Sequence, residues 1–289
     1  MQQLKQKFLD SLSKYYDEKE ILSLFFQSVQ NVTGCSKSVL FANPAFSFSG
    51  EQEERLDAVL TRLQAMEPIQ YILGECEFHG LSFCVNPSVL IPRPETEELV
   101  EWIISDHSGQ SGNLLDIGTG SGCIAVTAGK FLNSFSVSAI DLSESALAVA
   151  KKNAEKHRCC VQFMQADILK PDEIDFDNAF DVIVSNPPYV CEREKGRMSQ
   201  NVLGYEPHLA LFVPDDDPLL FYRAIALFGK RRLKAEGRLY LEINETLGKE
   251  CVTLLHSLGY DDITLRKDLF GRERMIRATR GGSSKTVLL

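Results

Sequence analysis

The run Phe180-Asp181-Val182-Ile183-Val184-Ser185-Asn186-Pro187-Pro188-Tyr189 restricts the fold of this chain more than any other stretch. Val182, Ile183 and Val184 are β-branched or apolar without interruption, as in a strand covered on both faces of a parallel sheet. Pro187 and Pro188 have no N–H for a ladder, so the strand stops at Asn186. The residue before a proline is held extended, which fixes Asn186 where the chain leaves the sheet. Ligands of open α/β sheets lie beyond the carboxyl ends of the strands. An amide side chain, two backbone carbonyls and a phenol ring are therefore delivered to a binding edge. Taken alone, the same residues also read as a proline turn with a capping Asn.

A second stretch decides between those readings. Leu114-Leu115-Asp116-Ile117 is a short strand running into Gly118-Thr119-Gly120-Ser121-Gly122, and a helix of small residues then reaches Gly129 or beyond. Glycines allow close backbone approach to a ligand, and a helix start offers unpaired amides. Val137 to Asp141 forms the next strand, ending in the carboxylate that a ribose diol needs. The spacing is G-x-G-x-G, not the G-x-G-x-x-G of a pyrophosphate site, and no Lys-Ser or Lys-Thr follows to make a P-loop. A nucleoside-bearing cofactor without a pyrophosphate, such as S-adenosylmethionine, fits this pattern. Ser143 caps a helix to about His157, and Val161 to Met164 forms a third strand. Asp167 then falls on the same edge as Gly118 and Asp141. It serves either as an acceptor from an adenine amino group, with Ile168 on the ring face, or as a cap of the following turn.

The first seventy residues read as helices. Leu4, Phe8, Leu12 and Tyr15 recur at helical spacing, as do Ile21, Leu24, Phe25, Val29 and Val32 before Gly34. A third helix from Glu51 to Met66 buries Leu56, Val59, Leu60 and Leu63. After Pro68, Tyr71 to Val85 reads as a β-hairpin turning at His79-Gly80. Ile91-Pro92-Arg93-Pro94-Glu95 then opens a helix, with Arg93 or Glu95 bordering the pocket. Beyond the central motif lie a helix from Pro218 to Leu233, a strand from Arg238 to Ile243 and a helix from Thr246 to Leu258. An antiparallel pair, Asp262 to Leu265 and Met275 to Ala278, closes the sheet around a turn at Gly271 to Arg274, with Arg272 and Arg274 solvated. The segment Cys191 to Pro207 has no periodicity and reads as a lid or partner contact.

Composition excludes several function classes. A formal charge of −9 does not suit a protein that must cover nucleic-acid phosphates. The 8 cysteines form no C-x-x-C pair, so neither a zinc site nor a redox motif is expected. No apolar run is long enough to span a membrane. The expected compartment is the cytoplasm.

These motifs resemble the class I S-adenosylmethionine-dependent methyltransferases, and among them the subset whose N-P-P-Y serves methylation of a planar nitrogen. Ile91 to Glu97, Asp116 to Gly122, Ser185 to Val190 and Glu206-Pro207-His208-Leu209-Ala210-Leu211, in this order, resemble the release-factor glutamine methyltransferase (HemK-type) family. The resemblance spans nearly the whole chain. It implies an α/β class I methyltransferase fold, Rossmann-like, with a mixed seven-stranded sheet and a small N-terminal helical bundle joined by a β-hairpin. The implied division is a helical domain over 1–70, the hairpin connector over 71–90, the catalytic domain over 91–280 and a flexible tail over 281–289.

By position, the resemblance implies that Gly118, Thr119, Gly120, Ser121, Gly122 and Asp141 bind S-adenosylmethionine; the strand-end reading adds Asp167 and Ile168, although family members often have a large aromatic or aliphatic residue where Ile168 stands. Asn186 touches cofactor and substrate, and Pro187, Pro188 and Tyr189 hold the target amide. The implied substrate is the Gly-Gly-Gln glutamine of peptide chain release factors, methylated at N5, with S-adenosylhomocysteine as product and translation termination as the process. A monomer is expected, with no direct nucleic-acid or membrane contact and no metal. Where the family usually has glycine, this chain has Asn244, read as a harmless change at a strand end. The main rival is an N6-adenine DNA methyltransferase, which uses the same acceptors on a flipped base. A nucleotide-binding module without catalysis leaves the N-P-P-Y acceptors unexplained, and the glycine spacing argues against a nicotinamide oxidoreductase.

Overall fold

Helix-period apolar residues at the start of the chain give way, after Gly74, to strand-period ones, and a computed structural model divides at that change. It describes residues 1–43 and 46–281. One unit comprises 1–75 with 199–205, and the other 76–198 with 206–289. The expected tail at 281–289 lies, from residue 282 on, outside the described residues.

The first unit holds α1 (Gln2–Leu12), α2 (Glu18–Thr33), α3 (Lys37–Ala42), α4 (Gly50–Gln64) and α5 (Ile69–Leu73). Asp17 caps α2 by accepting the Glu20 N–H at 2.9 Å, and Gly34 ends it in the left-handed region that glycine adopts without penalty. Ser49 and Gln52 form a reciprocal capping box at the start of α4. Phe8, Leu12, Ile21, Phe25, Val29, Leu56 and Leu63 fill one core. Tyr15 lies beyond α1 and is exposed, so the first helix ends a turn earlier than its periodicity predicts. Tyr71 and Ile72, expected in a strand, belong to α5, which starts behind Pro68 and stops at the left-handed Gly74.

In the second unit, β1 (Glu75–Phe78, its first residue at the unit boundary) and β2 (Leu81–Cys84) make a two-stranded sheet. His79 and Gly80 both have positive φ, the pair of values a tight two-residue hairpin requires. α6 (Pro94–His107), β3 (Gly112–Ile117), α7 (Cys123–Phe131), β4 (Phe135–Asp141), α8 (Glu144–His157), β5 (Val161–Gln165) and β6 (Phe180–Ser185) follow. After β7 (Val190–Cys191), a 3-10 turn over Glu192–Arg197 leads to α9 (Gln200–Tyr205), which clusters with the helical unit. The segment expected to be irregular is thus mostly helical. β8 (Phe212–Val213), α10 (Leu220–Arg232), β9 (Leu233–Glu242), α11 (Gly248–Ser257), β10 (Tyr260–Lys267) and β11 (Glu273–Arg280) complete the chain.

The main sheet is mixed and seven-stranded, ordered β10-β11-β9-β6-β3-β4-β5. β9, β6, β3, β4 and β5 are parallel, and β11 and β10 add an antiparallel edge. The chain runs outward from β3 through β5 and returns to β6 on the other side, so the strand order reverses between β3 and β6. Such a reversal opens a crevice at the carboxyl ends of the strands. Pleating splits β6 cleanly. Val182 and Val184 join the core with Leu99 and Ile124 on one face, while Ile183 joins Tyr222, Ile225 and Phe228 on the other. Glu273 and Arg274, expected in the closing turn, are the first residues of β11. The turn sits earlier, where Asp268 accepts the Phe270 and Arg272 amides, each at 2.9 Å.

Candidate active site

A cavity of about 510 Å³ opens at that reversal point. Its walls come from the glycine turn (Gly118 to Ser121), the ends of β4 and β5 (Asp141, Asp167, Ile168), the end of β6 (Asn186, Pro187, Pro188), and Arg93 and Thr96 at the start of α6. Pro207, Leu209 and Ala210 close a further side.

The glycine turn is held by its neighbours. The Gly118 and Thr119 amides both donate to the Ile140 carbonyl, at 2.9 and 3.0 Å. Asp141 accepts the Gly120 amide at 2.8 Å and the Ser143 amide at 2.9 Å, one on each oxygen. A carboxylate has about four lone-pair positions, so each oxygen keeps acceptor capacity. Burial raises the pKa of Asp141. Gly118 and Gly120 have positive φ, and a Cβ on either would meet open space. Gly122, also expected at the ligand, does not line the cavity. Its missing Cβ lets α8 approach, since an added carbon would stand 3.1 Å from Ala150 Cβ. Buried Asn153 accepts the Cys84 N–H at 2.7 Å and donates to the carbonyls of Cys84 and Ser121, each at 2.9 Å, tying β2 to the turn.

Asp116 lies beneath the turn, fully buried. One oxygen accepts the Thr119 hydroxyl at 2.6 Å and the Ala125 amide at 3.2 Å; the other has no partner. Desolvation pushes its pKa up to about 7. Asp167 lines the cavity and also accepts the Leu169 N–H at 2.9 Å, so the turn-capping role is present with one oxygen left over. Arg93 borders the cavity and Glu95 does not.

At the end of β6, Ser185 donates to the Ile117 carbonyl at 2.7 Å, and Ser185 pairs in register with Leu241 of β9. Asn186 therefore leaves the sheet beside Glu242. The Asn186 amide nitrogen donates to Thr96 Oγ1 at 3.1 Å, and Thr96 Oγ1 lies 2.6 Å from Glu242 Oε2. Tyr189 is not part of the cavity wall: its hydroxyl donates to Glu242 Oε1 at 2.9 Å, and the Arg274 guanidinium stands 6.0 Å over its ring. Burial drives the tyrosine pKa well above the usual phenol range. Arg274, expected to be solvated, is largely covered and donates to the Ile243 carbonyl and to Glu245, each at 3.2 Å. Asn244 is engaged as well. It donates to the Tyr189 carbonyl at 3.1 Å and accepts from the Thr246 amide at 3.0 Å.

Thr96, Glu242 and Asn153 do not figure among the site residues expected from sequence. Glu242 carried one signal, a carboxylate closing the otherwise apolar strand Leu239 to Ile243. Among the described residues, no group of three or more His, Cys, Asp or Glu could hold a metal ion, and no helix is long and apolar enough to cross a membrane.

A family model described as "Methyltransferase small domain" matches residues 95–204, and one described as "PrmC N-terminal domain" matches residues 18–74. The release factor glutamine methyltransferase of Flavobacterium psychrophilum is 47% identical over 275 residues, covering 94% of this chain and 96% of its own. That of Bacteroides thetaiotaomicron is 44% identical over 270 residues, covering 93% and 96%. Among solved structures, a methyltransferase from Pyrococcus furiosus has a TM-score of 0.52 at 18% identity, covering 81% of this chain and 100% of its own, a likeness of fold.

Proposed function

The chain belongs to the release factor glutamine methyltransferase family, and from that premise we propose that the cavity between β3 and β6 is where a glutamine side-chain amide meets its methyl donor. The enzyme is an S-adenosylmethionine-dependent protein glutamine methyltransferase acting on release factors. The target, on the family resemblance, is N5 of the Gly-Gly-Gln glutamine. A cytoplasmic monomer that does not contact nucleic acid completes the reading; the charge of −9 supports the absence of nucleic-acid contact.

The residues present suit the cofactor. A volume of about 510 Å³ accommodates a nucleoside-sized ligand. Gly118 and Gly120 leave open space before the backbone, Asp141 keeps lone pairs for a ribose diol, and Ile168 offers an apolar face. When bound, S-adenosylmethionine supplies a methyl group already activated on a sulfonium.

The work left to the chain is to make a poor nucleophile react. An amide nitrogen is unreactive because its lone pair is delocalised into the carbonyl. Asn186 Oδ1 and the Pro187 carbonyl each accept one N–H of the target amide, orienting the nitrogen and favouring its rehybridisation towards the transition state. Holding both reactants in place supplies a large part of the rest, on the order of 7–11 kcal/mol for well-oriented reactants. No strong base is needed to start the attack, because the proton on the alkylated nitrogen becomes very acidic.

One observation carries this reading. The Asn186 nitrogen is taken by Thr96, which leaves the oxygen of the same amide to serve the cavity that Asn186 lines. The test is mass spectrometry of a release factor incubated with the protein and S-adenosylmethionine. One added methyl on the Gly-Gly-Gln glutamine is expected from the wild type, and none from Asn186→Ala, whose cofactor affinity falls only modestly. Near-normal methylation by that variant refutes the mechanism; methylation of unmethylated DNA instead favours the adenine rival.

A further inference from the structure

We propose that Thr96 and Glu242 are positioning residues that fix which end of the Asn186 amide faces the substrate. The inference rests on the reading that Asn186 Oδ1 accepts the target N–H.

Glu242 is buried, and its oxygens face two hydroxyls, Thr96 at 2.6 Å and Tyr189 at 2.9 Å. Burial raises the Glu242 pKa, while the Thr96 and Tyr189 hydroxyls and the Arg274 charge hold it down; as a carboxylate it only accepts, so both hydroxyl protons point at it. A threonine hydroxyl has one proton. With that proton committed, Thr96 Oγ1 presents only lone pairs to Asn186, 3.1 Å away. Asn186 must then turn its NH2 to Thr96 and its oxygen to the cavity. The flipped amide would set two lone-pair-bearing oxygens against each other, which is repulsive, and would offer donors to a substrate that itself brings N–H groups. Glu242 thus dictates the polarity of the amide through one intervening hydroxyl, touching neither cofactor nor substrate.

The arrangement also predicts what Gln does at position 242. A glutamine has one acceptor oxygen for two hydroxyl donors. If its NH2 faces Thr96, the threonine proton is released towards Asn186 and favours the inverted amide.

The experiment compares Thr96→Val, Thr96→Ser and Glu242→Gln with the wild type. It measures kcat and KM for release-factor methylation, and S-adenosylmethionine affinity by calorimetry. Thr96→Val and Glu242→Gln are expected to lose about tenfold or more in kcat, with cofactor Kd changed by less than about threefold. Thr96→Ser, which restores the hydroxyl, is expected to recover most of the turnover. In parallel, neutron diffraction of the perdeuterated wild type should place the Thr96 deuteron on the Glu242 side and the Asn186 amide deuterons on the Thr96 side. A deuteron between Thr96 and Asn186 carried by the threonine overturns the proposal even if every variant is misfolded. So does a folded Thr96→Val with wild-type kcat while Asn186→Ala is dead, an outcome that leaves the role of Asn186 standing. Full turnover by Asn186→Ala takes down both.

Discussion

The Arg93 guanidinium donates to Glu206 at 2.6 Å across a sequence separation of 113, while the other oxygen of Glu206 accepts the Ile91 N–H at 3.2 Å. Glu206 is buried, and Arg93 remains about a third exposed, at 31% of its side chain. The pair pins the proline-flanked loop before α6 to the start of the Glu206-Pro207-His208 stretch, and both ends border the cavity. Removing one partner of a buried pair leaves the other charge stranded. Arg93→Ala is therefore expected to lose about 2 kcal/mol of stability, discounted because the arginine is partly hydrated, and to raise KM for the release factor. Urea denaturation and steady-state methylation check the two parts.

The unpartnered oxygen of Asp116 makes stability depend on pH. Its pKa rises from 3.8 to about 7 on burial, so the folded chain holds a proton there that the unfolded chain has lost. The contribution is fully present below about pH 4 and disappears as pH rises through 7, with a slope of up to about 1.4 kcal/mol per pH unit. Asp116→Asn abolishes the titration. Unfolding midpoints of the cofactor-free wild type and this variant, followed from pH 4 to 8, should move in the variant's favour with rising pH and level off above 7. A constant difference would mean that Asp116 is ionised throughout.

The elements legible in the sequence are those whose signal is local. Phe180 to Asn186, the glycine turn and the strand ending in Asp141 each have their cause in adjacent residues, and all three appear at the crevice. The network behind Asn186 could not be read in the same way. Thr96, Glu242 and Tyr189 are separated from their partners by 90, 146 and 53 positions. The sheet order, which sets β9 beside β6, and the placement of α6, which carries Thr96, bring them together.

The errors are equally physical. α5 has only five residues, too few to show a helical period against alternating apolar residues. Arg274 carries a charge, and charge predicts solvent; the burial comes from its place opposite Tyr189, which pattern does not encode.

Asn153 tests whether the glycine turn depends on β2. Its side chain makes three hydrogen bonds to backbone groups, the one to Ser121 buried and the two to Cys84 partly buried. Asn153→Ala strands them, at a cost of about 2–4 kcal/mol. Asn153→Asp restores the acceptor but cannot donate, so it should fail to recover stability at neutral pH. Because Ser121 lines the cavity, both variants are expected to bind S-adenosylmethionine more weakly at temperatures where they remain folded. Calorimetric titration below each variant's melting transition separates that loss from unfolding.

Gly118 and Gly122 should fail in opposite ways when changed to alanine. Both have positive φ, so each substitution costs about 1–2 kcal/mol for the left-handed backbone. At Gly122 the new methyl also meets Ala150 at 3.1 Å from its Cβ and 3.2 Å from its Cα, and the second of these is backbone that cannot rotate away. α8 must shift, and the larger stability loss belongs to this variant. At Gly118 the methyl enters open space on the cavity wall, so the fold tolerates it while the ligand does not. Gly118→Ala is therefore expected to melt higher than Gly122→Ala yet bind S-adenosylmethionine more weakly, a crossed result that paired melting curves and binding isotherms would reveal. Parallel losses in both would mean that the two glycines share a single role.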